Sequence, residues 1–194
     1  MSRLVPLAQR AFVAAALLVA TSLLFGCAGA NAAAPAPGSG NASNTAAPSG
    51  AASNVADFTL ETVDGKTVNL SDYVGKNVVM IDFWATWCEP CLSAMPLLSD
   101  IYKRHKDQGF VILAVAMDGP DTVAEVRAYA QRQNLPFPVL LDQESRAVSL
   151  YNPRRSAPFS VIIGRDGTIV SKHDGFQAGD EVQIEKEVVA ALGH

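Results

Sequence analysis

Cys88 and Cys91 are the residues of this chain with the most chemistry to offer. They are two thiols separated by two residues at the end of "MIDFWATWCEPC", residues 80–91. Such a pair can form half of a zinc site, attach haem covalently, or cycle between dithiol and disulfide. Covalent haem needs His directly after the second cysteine, and position 92 is Leu. Structural zinc needs four ligands at paired spacings. His105, His173 and His194 are too far apart to pair with one another at three to five residues, so no metal site is assigned. The redox reading needs two unequal thiols, and the setting supplies them. An apolar run ends just before the pair and a helical pattern begins just after it, which puts Cys88 at a helix N-terminus. There the free N–H groups and the helix dipole stabilise a thiolate. Pro90 suits a first helical turn because it has no N–H to leave unsatisfied. Cys91, one turn in, is expected to be more buried and less acidic. Cys88 then exchanges with a partner's sulfur, and Cys91 resolves the mixed disulfide.

Two acids flank this chemistry. Glu89 stands between the cysteines, where its charge opposes thiolate formation on Cys88, although acids are also ordinary occupants of a helix first turn. Asp82 interrupts the run "NVVMIDFW". A carboxyl in such apolar company is desolvated and its pKa rises, which suits a proton acceptor working near neutral pH. The alternative is a strand-end Asp that faces solvent or caps the next helix.

The elements that must hold these residues are legible in outline. "ADFTLETVDGKTVNLSDYVGK" reads as a hairpin turning at Asp64-Gly65. Val78–Trp84 is a continuous apolar run of strand length, hence a strand buried on both faces. Leu92–Gln108 has helical spacing and stops at Gly109. Val111–Met117 is a second buried strand. Asp121 is placed to cap a helix over Val123–Gln133. Val139–Leu141 is a short strand or extended segment and Ser145–Tyr151 a short helix. "PFSVIIGRDGTIVSKHDGF" reads as a hairpin turning at Asp166-Gly167. A last helix from Asp180 to Leu192 presents Val182, Ile184, Val188, Val189 and Leu192 as its apolar face. The order implies an α/β mixed sheet with helices on both faces.

Composition divides the 194 residues unevenly. Met1–Arg10 carries two Arg and no acid, and Ala11–Phe25 is almost wholly apolar. A basic start and a 15-residue apolar run describe an export signal and are short for a membrane span. From Ala28 to Asn54 only Ala, Gly, Asn, Pro, Ser and Thr occur. That segment has almost nothing to bury and is expected to be a tether of about 30 Å root-mean-square span. Residues 55–194 hold 13 basic and 19 acidic residues, net −6, which argues against nucleic acid as a partner. Export also means an oxidising compartment, where an exposed cysteine pair tends towards the disulfide.

Two resemblances sharpen this reading. "LLFGC", residues 23–27, resembles a bacterial lipobox, which implies a lipoprotein signal over 1–26 and a lipidated Cys27 at the head of a linker over 27–54. Phe25 is bulkier than the residue usual there. "DFWATWCEPC" followed by "MP" is similar to the thioredoxin active-site stretch. Residues 55–194 as a whole resemble the membrane-anchored thioredoxin-like proteins of the TlpA/ResA type. The resemblance implies a thioredoxin fold with an N-terminal β-hairpin and a central strand–helix insertion, supplied by Val111–Asp142. It implies a thiol–disulfide oxidoreductase, a reductant in many members, several of which serve cytochrome c maturation. Carried over by position, it makes Cys88 the nucleophile, Cys91 the resolving thiol, Trp87 the ring shielding the disulfide and Pro96 a helix-kinking proline. It makes Pro158 a cis-proline facing the disulfide, with Ala157 beside it on the surface that meets the partner. Glu89 and Pro90 line the same surface. The acid that ResA-like members carry three residues after the second cysteine is Ala94 here, whereas Asp82 matches a buried acid of thioredoxin.

The implied partners are a protein thiol or disulfide substrate and an upstream membrane electron donor, with the lipid anchor holding a monomeric domain at the membrane, facing the periplasm or exterior. No cofactor is implied. Two other readings compete. A thiol peroxidase shares the fold, but its Pro-x-x-x-Thr-x-x-Cys setting is not met by "FWATWC". A copper-binding module would use Cys88, Cys91 and His173, because thiolates attract Cu(I), but its usual cysteine spacing is three residues. Arg154 and Arg155, ahead of Pro158, and "KRHK" at 103–106 read as solvated surface charge, and His173 as structural.

Overall fold

Seven consecutive residues in an apolar run, Val78–Trp84, form the central strand β3, and all seven are buried. The computed structural model describes residues 55–193. The expected signal over 1–26, Cys27 and the linker over 27–54 lie outside the described residues. Before β3 come β1 (Thr59–Thr62) and β2 (Thr67–Asn69), an antiparallel hairpin. Gly65 takes the positive φ of +77° that the turn requires. After β3 follow α1 (Glu89–His105), β4 (Phe110–Ala116), α2 (Val123–Arg132), β5 (Val139–Leu141), α3 (Arg146–Tyr151), β6 (Phe159–Ile163), β7 (Ile169–Asp174) and α4 (Asp180–Leu192).

These strands make one sheet in the order β2-β1-β5-β4-β3-β6-β7. β3 runs parallel to β4 over its whole length and antiparallel to β6. β5 pairs parallel with β4 and antiparallel with β1, which joins the N-terminal hairpin to the sheet through the segment between β4 and α3. The mixed sheet with helices on both faces is therefore as the sequence pattern and the resemblance implied. Alternation along β3 divides the core in two. Val78, Met80 and Trp84 pack with α1, α2 and α4 residues such as Met95, Leu98, Val126, Ile184 and Val188. Val79, Ile81 and Phe83 pack on the other side with α3 and the hairpin. Among the described residues no helix is long and apolar enough to cross a membrane.

Three sequence expectations need correction. The first helix starts at Glu89 with Cys88 as its N-cap, as the motif implied, but it ends at His105 and not at Gln108, with a 3-10 turn over Lys106–Gln108 before Gly109 at φ +92°. Asp121 does not cap α2: it lies in a 3-10 turn, and the residue before the helix is Thr122, whose side chain makes no capping bond. On α4 the buried stripe is Ile184, Val188 and Ala191, spaced i, i+4, i+7 as one helix face demands. Val182 and Val189 fall outside that stripe and are about half exposed.

Candidate active site

The site begins where β3 ends. The Trp84 carbonyl accepts the Met117 N–H at 2.8 Å and the Ala85 carbonyl accepts the Cys88 N–H at 3.1 Å, so the chain turns at once out of the sheet. The turn is held from beside it by Asp118, just past the end of β4. The Asp118 carboxylate accepts the Thr86 N–H at 3.0 Å and the Thr86 hydroxyl. Asp118 is buried, so this charge-assisted pair is shielded from competing water. Sequence reasoning passed Asp118 over. The available signal was the one used for Asp82, an acid set against a buried apolar strand.

Cys88 occupies the N-cap position of α1, and its Sγ accepts the Cys91 N–H at 3.3 Å. A sulfur that receives a helix-terminal N–H is positioned to be stabilised as thiolate. Cys88 and Cys91 are joined in a disulfide, with Cα atoms 5.3 Å apart. Both are buried, Cys91 slightly more than Cys88. Trp87, two-thirds exposed, stands directly before the pair, and Glu89 and Pro90 are exposed in the first turn behind it. Pro96 lies within α1 on its exposed side.

Asp82 lies on the α1 and α4 face of β3, two residues before Trp84, and only 5% of it is exposed. That burial excludes a solvent-facing strand end. Among the described residues its carboxyl makes no hydrogen bond, which excludes a cap. Its neighbours in register are Ala114 on β4 and Ser160 on β6, and neither offers a compensating cation. Burial alone pushes its pKa up from 3.8 to about 7. The carboxyl opens into a narrow crevice lined by Ala94 and Leu98 of α1, Ile184 of α4, Pro158, Ser160 and Phe176. Ala94, where ResA-like members carry their acid, thus faces the same crevice as Asp82.

The far wall of the site is the loop before β6. The Ala157–Pro158 peptide is cis. Pro158 is buried, and its carbonyl accepts the Gly175 N–H at 2.9 Å. Ala157 is half-buried and packs against the apolar cluster that contains both cysteines. Its backbone N–H and C=O make no hydrogen bond among the described residues. The loop is fixed one residue earlier by Asn152, which is buried: its side chain accepts the Ser156 N–H at 3.0 Å and donates to the Ser156 carbonyl at 2.7 Å. Asn152 was also missed by sequence reasoning, since its partners are backbone groups that no residue type announces. Cys88, Cys91, Asp82 and the Ala157–Pro158 loop are thus brought to one end of the sheet.

His173 lies on β7, and its Nε2 is 2.8 Å from a Glu187 oxygen on α4. Among the described residues no three or more His, Cys, Asp or Glu side chains converge as a metal site. Arg154 is exposed, and Arg155 donates to the Ser145 hydroxyl at 3.2 Å.

The chain is similar in sequence and fold to known proteins. Residues 51–172 match the AhpC/TSA family. The thiol–disulfide oxidoreductase ResA of Oceanobacillus iheyensis is 43% identical over 99 residues, a match covering 49% of this chain and 50% of that protein. The chain therefore spans only half the length of that relative in the aligned stretch. A structure from Chlorobium tepidum, described as a thiol:disulfide interchange protein DsbE, superposes with a TM-score of 0.66 at 32% identity. It covers 72% of this chain and 95% of its own. The exposed lipoprotein thioredoxin of Streptococcus pneumoniae superposes with a TM-score of 0.57 at 35% identity, over 68% of this chain and 99% of its own.

Proposed function

From a chain that belongs to the AhpC/TSA family and is a thioredoxin-fold relative of thiol–disulfide oxidoreductases, we propose a thiol–disulfide oxidoreductase acting on protein disulfides outside the cytoplasmic membrane. The observation that carries this reading is the Cys88–Cys91 disulfide at the start of α1, with a buried, unpaired acid on the strand that leads to it. In the reducing direction the Cys88 thiolate attacks a sulfur of the substrate disulfide. A Cys88–substrate bond forms and the substrate's second sulfur leaves as thiolate. Asp82 takes the proton from Cys91. The Cys91 thiolate attacks Cys88 Sγ, the mixed disulfide breaks, and the electron pair leaves on the substrate's first sulfur. The Ala157 N–H and C=O lie open beside the site and suit pairing with an extended substrate segment.

The finer assignments rest on the sequence. "LLFGC" supports a lipid anchor through Cys27, and the Streptococcus pneumoniae relative is described as an exposed lipoprotein. The resemblance of "DFWATWCEPC" and residues 55–194 to the TlpA/ResA type suggests a reductant fed by a membrane electron donor, with haem-binding cysteines of apocytochrome c as a substrate class. The test is the reduction potential, measured by equilibration with thiol–disulfide buffers. A value near −270 mV, about that of thioredoxin, supports the reductant. A value near −120 mV, about that of a strong oxidant, overturns the reducing direction. Loss of the protein from the membrane fraction in Cys27→Ser tests the anchor.

A further inference from the structure

Asp82 and Ser160 stand directly opposite one another on antiparallel strands β3 and β6. Opposite residues project to the same face with Cβ atoms about 5 Å apart. Both are buried, Ser160 at 4% exposure and Asp82 at 5%. Neither the hydroxyl nor the carboxyl makes a hydrogen bond among the described residues. Among the described residues the sealed side-chain polar atom without a partner is Trp84 Nε1; the Asp82 and Ser160 oxygens are not sealed, and both residues line the same crevice. The crevice leaves about 10 Å³ for the centre of a water molecule, which is on the scale that a single water needs. Every other residue lining it is uncharged: Met80 from β3, Ala94 and Leu98 from α1, Ile184 from α4, and Pro158, Phe159, Gly175 and Phe176. The next residue in register beyond Ser160 is His173 on β7. Its Nε2 is engaged with Glu187 of α4, and it does not line the crevice.

We propose that Ser160 is the positioning residue for proton transfer at Asp82: its hydroxyl and the carboxyl hold one water between them, and through that water Asp82 passes the Cys91 proton to solvent. The inference rests on the disulfide-exchange reading, in which Asp82 accepts that proton. The water donates to the ionised carboxyl and accepts from the Ser160 hydroxyl, so it favours the charged form. When the carboxyl is protonated it donates to the same water, and the proton moves on.

The experiment follows reduction of a disulfide-bonded test peptide by the pre-reduced protein, in single turnovers across the neutral pH range. Resolution of the mixed disulfide is read by acid quench and thiol labelling. In the wild type the rate climbs with pH as Asp82 ionises. Ser160→Ala is expected to move that climb upward by about one pH unit, because the charged carboxyl loses a hydrogen bond. Ser160→Thr, which keeps the hydroxyl, retains the wild-type profile, as does His173→Gln. Coincident profiles for wild type and Ser160→Ala overturn the proposal. The infrared carboxyl band that disappears in Asp82→Asn gives a second measurement that needs no turnover. A wild-type band at the position of a hydrogen-bonded acid, titrating higher in Ser160→Ala, supports the proposal. A band at the position of an unbonded acid overturns it, even if Ser160→Ala does not fold. If the wild type fails to reduce the peptide at all, the functional reading falls while the infrared titration still decides the role of Ser160.

Discussion

The two faces of β3 are buried equally and do different things. Val79, Ile81 and Phe83 point into an apolar layer closed by α3 and the hairpin, in which the Tyr151 hydroxyl is satisfied by the Ala56 carbonyl. Val78, Met80 and Trp84 point the other way, and among them stands Asp82. One face stabilises; the other gives up stability to keep a carboxyl where it can titrate near neutral pH. The difference lies in two positions of a uniformly buried strand: the Asp82 carboxyl and the Trp84 indole N–H, which is sealed without a partner among the described residues. Functional strain of this kind is expected to sit within a well-formed element, because the surrounding packing must hold the costly group in place.

The largest test of that contrast lies just beyond the strand. Cys91→Ser is expected to abolish turnover and leave a stable mixed disulfide on Cys88, because the resolving sulfur is gone. Trapping and mass analysis of the adduct checks it, and free turnover by the variant would remove the assigned roles. The second test uses Asp82 itself, in the oxidised protein. Its folded pKa of about 7 lies above the ordinary value of 3.8. Between those values the folded state holds a proton that the unfolded chain has released. Stability is therefore expected to fall as pH rises through this window and to level off above about 7. The whole effect is roughly 4 kcal/mol, the free energy that corresponds to holding the proton about a thousandfold more tightly in the folded state. Asp82→Asn removes this slope, so denaturant unfolding of the two proteins at about pH 4 and about pH 8 should diverge at the higher pH, with the variant the more stable. Parallel curves would mean that the carboxyl is solvated. On the opposite face, Ile81→Val is expected to cost about 1 kcal/mol, the loss of one buried methylene. That cost should be the same at both pH values, since Tyr151, the buried titratable side chain of that cluster, has its pKa pushed up to about 12 by burial and stays protonated at both.

Much of this was legible in the sequence, and what was not has physical causes. β3 could be read to the residue because seven apolar positions in a row admit few alternatives, and β5 because turn residues bracket it. The start of α1 could be read from the motif itself, since Pro90 and Glu89 are suited to a first turn with Cys88 ahead of them; its end could not, because the pattern runs on through a 3-10 turn to Gly109. The face of α4 differs because Val182 and Val189 are apolar without being on the stripe that meets the sheet. Cys88, Cys91 and Asp82 announce themselves by type and setting. Asp118 and Asn152 do not, because their partners are groups in another loop or on the backbone: Asp118 reaches Thr86, 32 positions away in the chain. Ser160 becomes visible only once the register sets it opposite Asp82.

The smallest expected effect tests the asymmetry of the two cysteines. Glu89 sits in the first turn of α1 beside Cys88, and its side chain is exposed. Its charge acts on Cys88 through solvent, where interactions between groups a few ångströms apart are weak and screened by salt. The helix terminus acts on the same sulfur through an N–H in direct contact, 3.3 Å away. The contact should dominate. Glu89→Gln is therefore expected to lower the Cys88 thiol pKa in the reduced protein by only a few tenths of a unit, and less at high salt. Alkylation rate against pH measures it. A change of a full unit or more would mean that Glu89, and not the helix terminus, governs how readily Cys88 ionises, and Cys88 would then be tuned from the surface while Asp82 is tuned by burial.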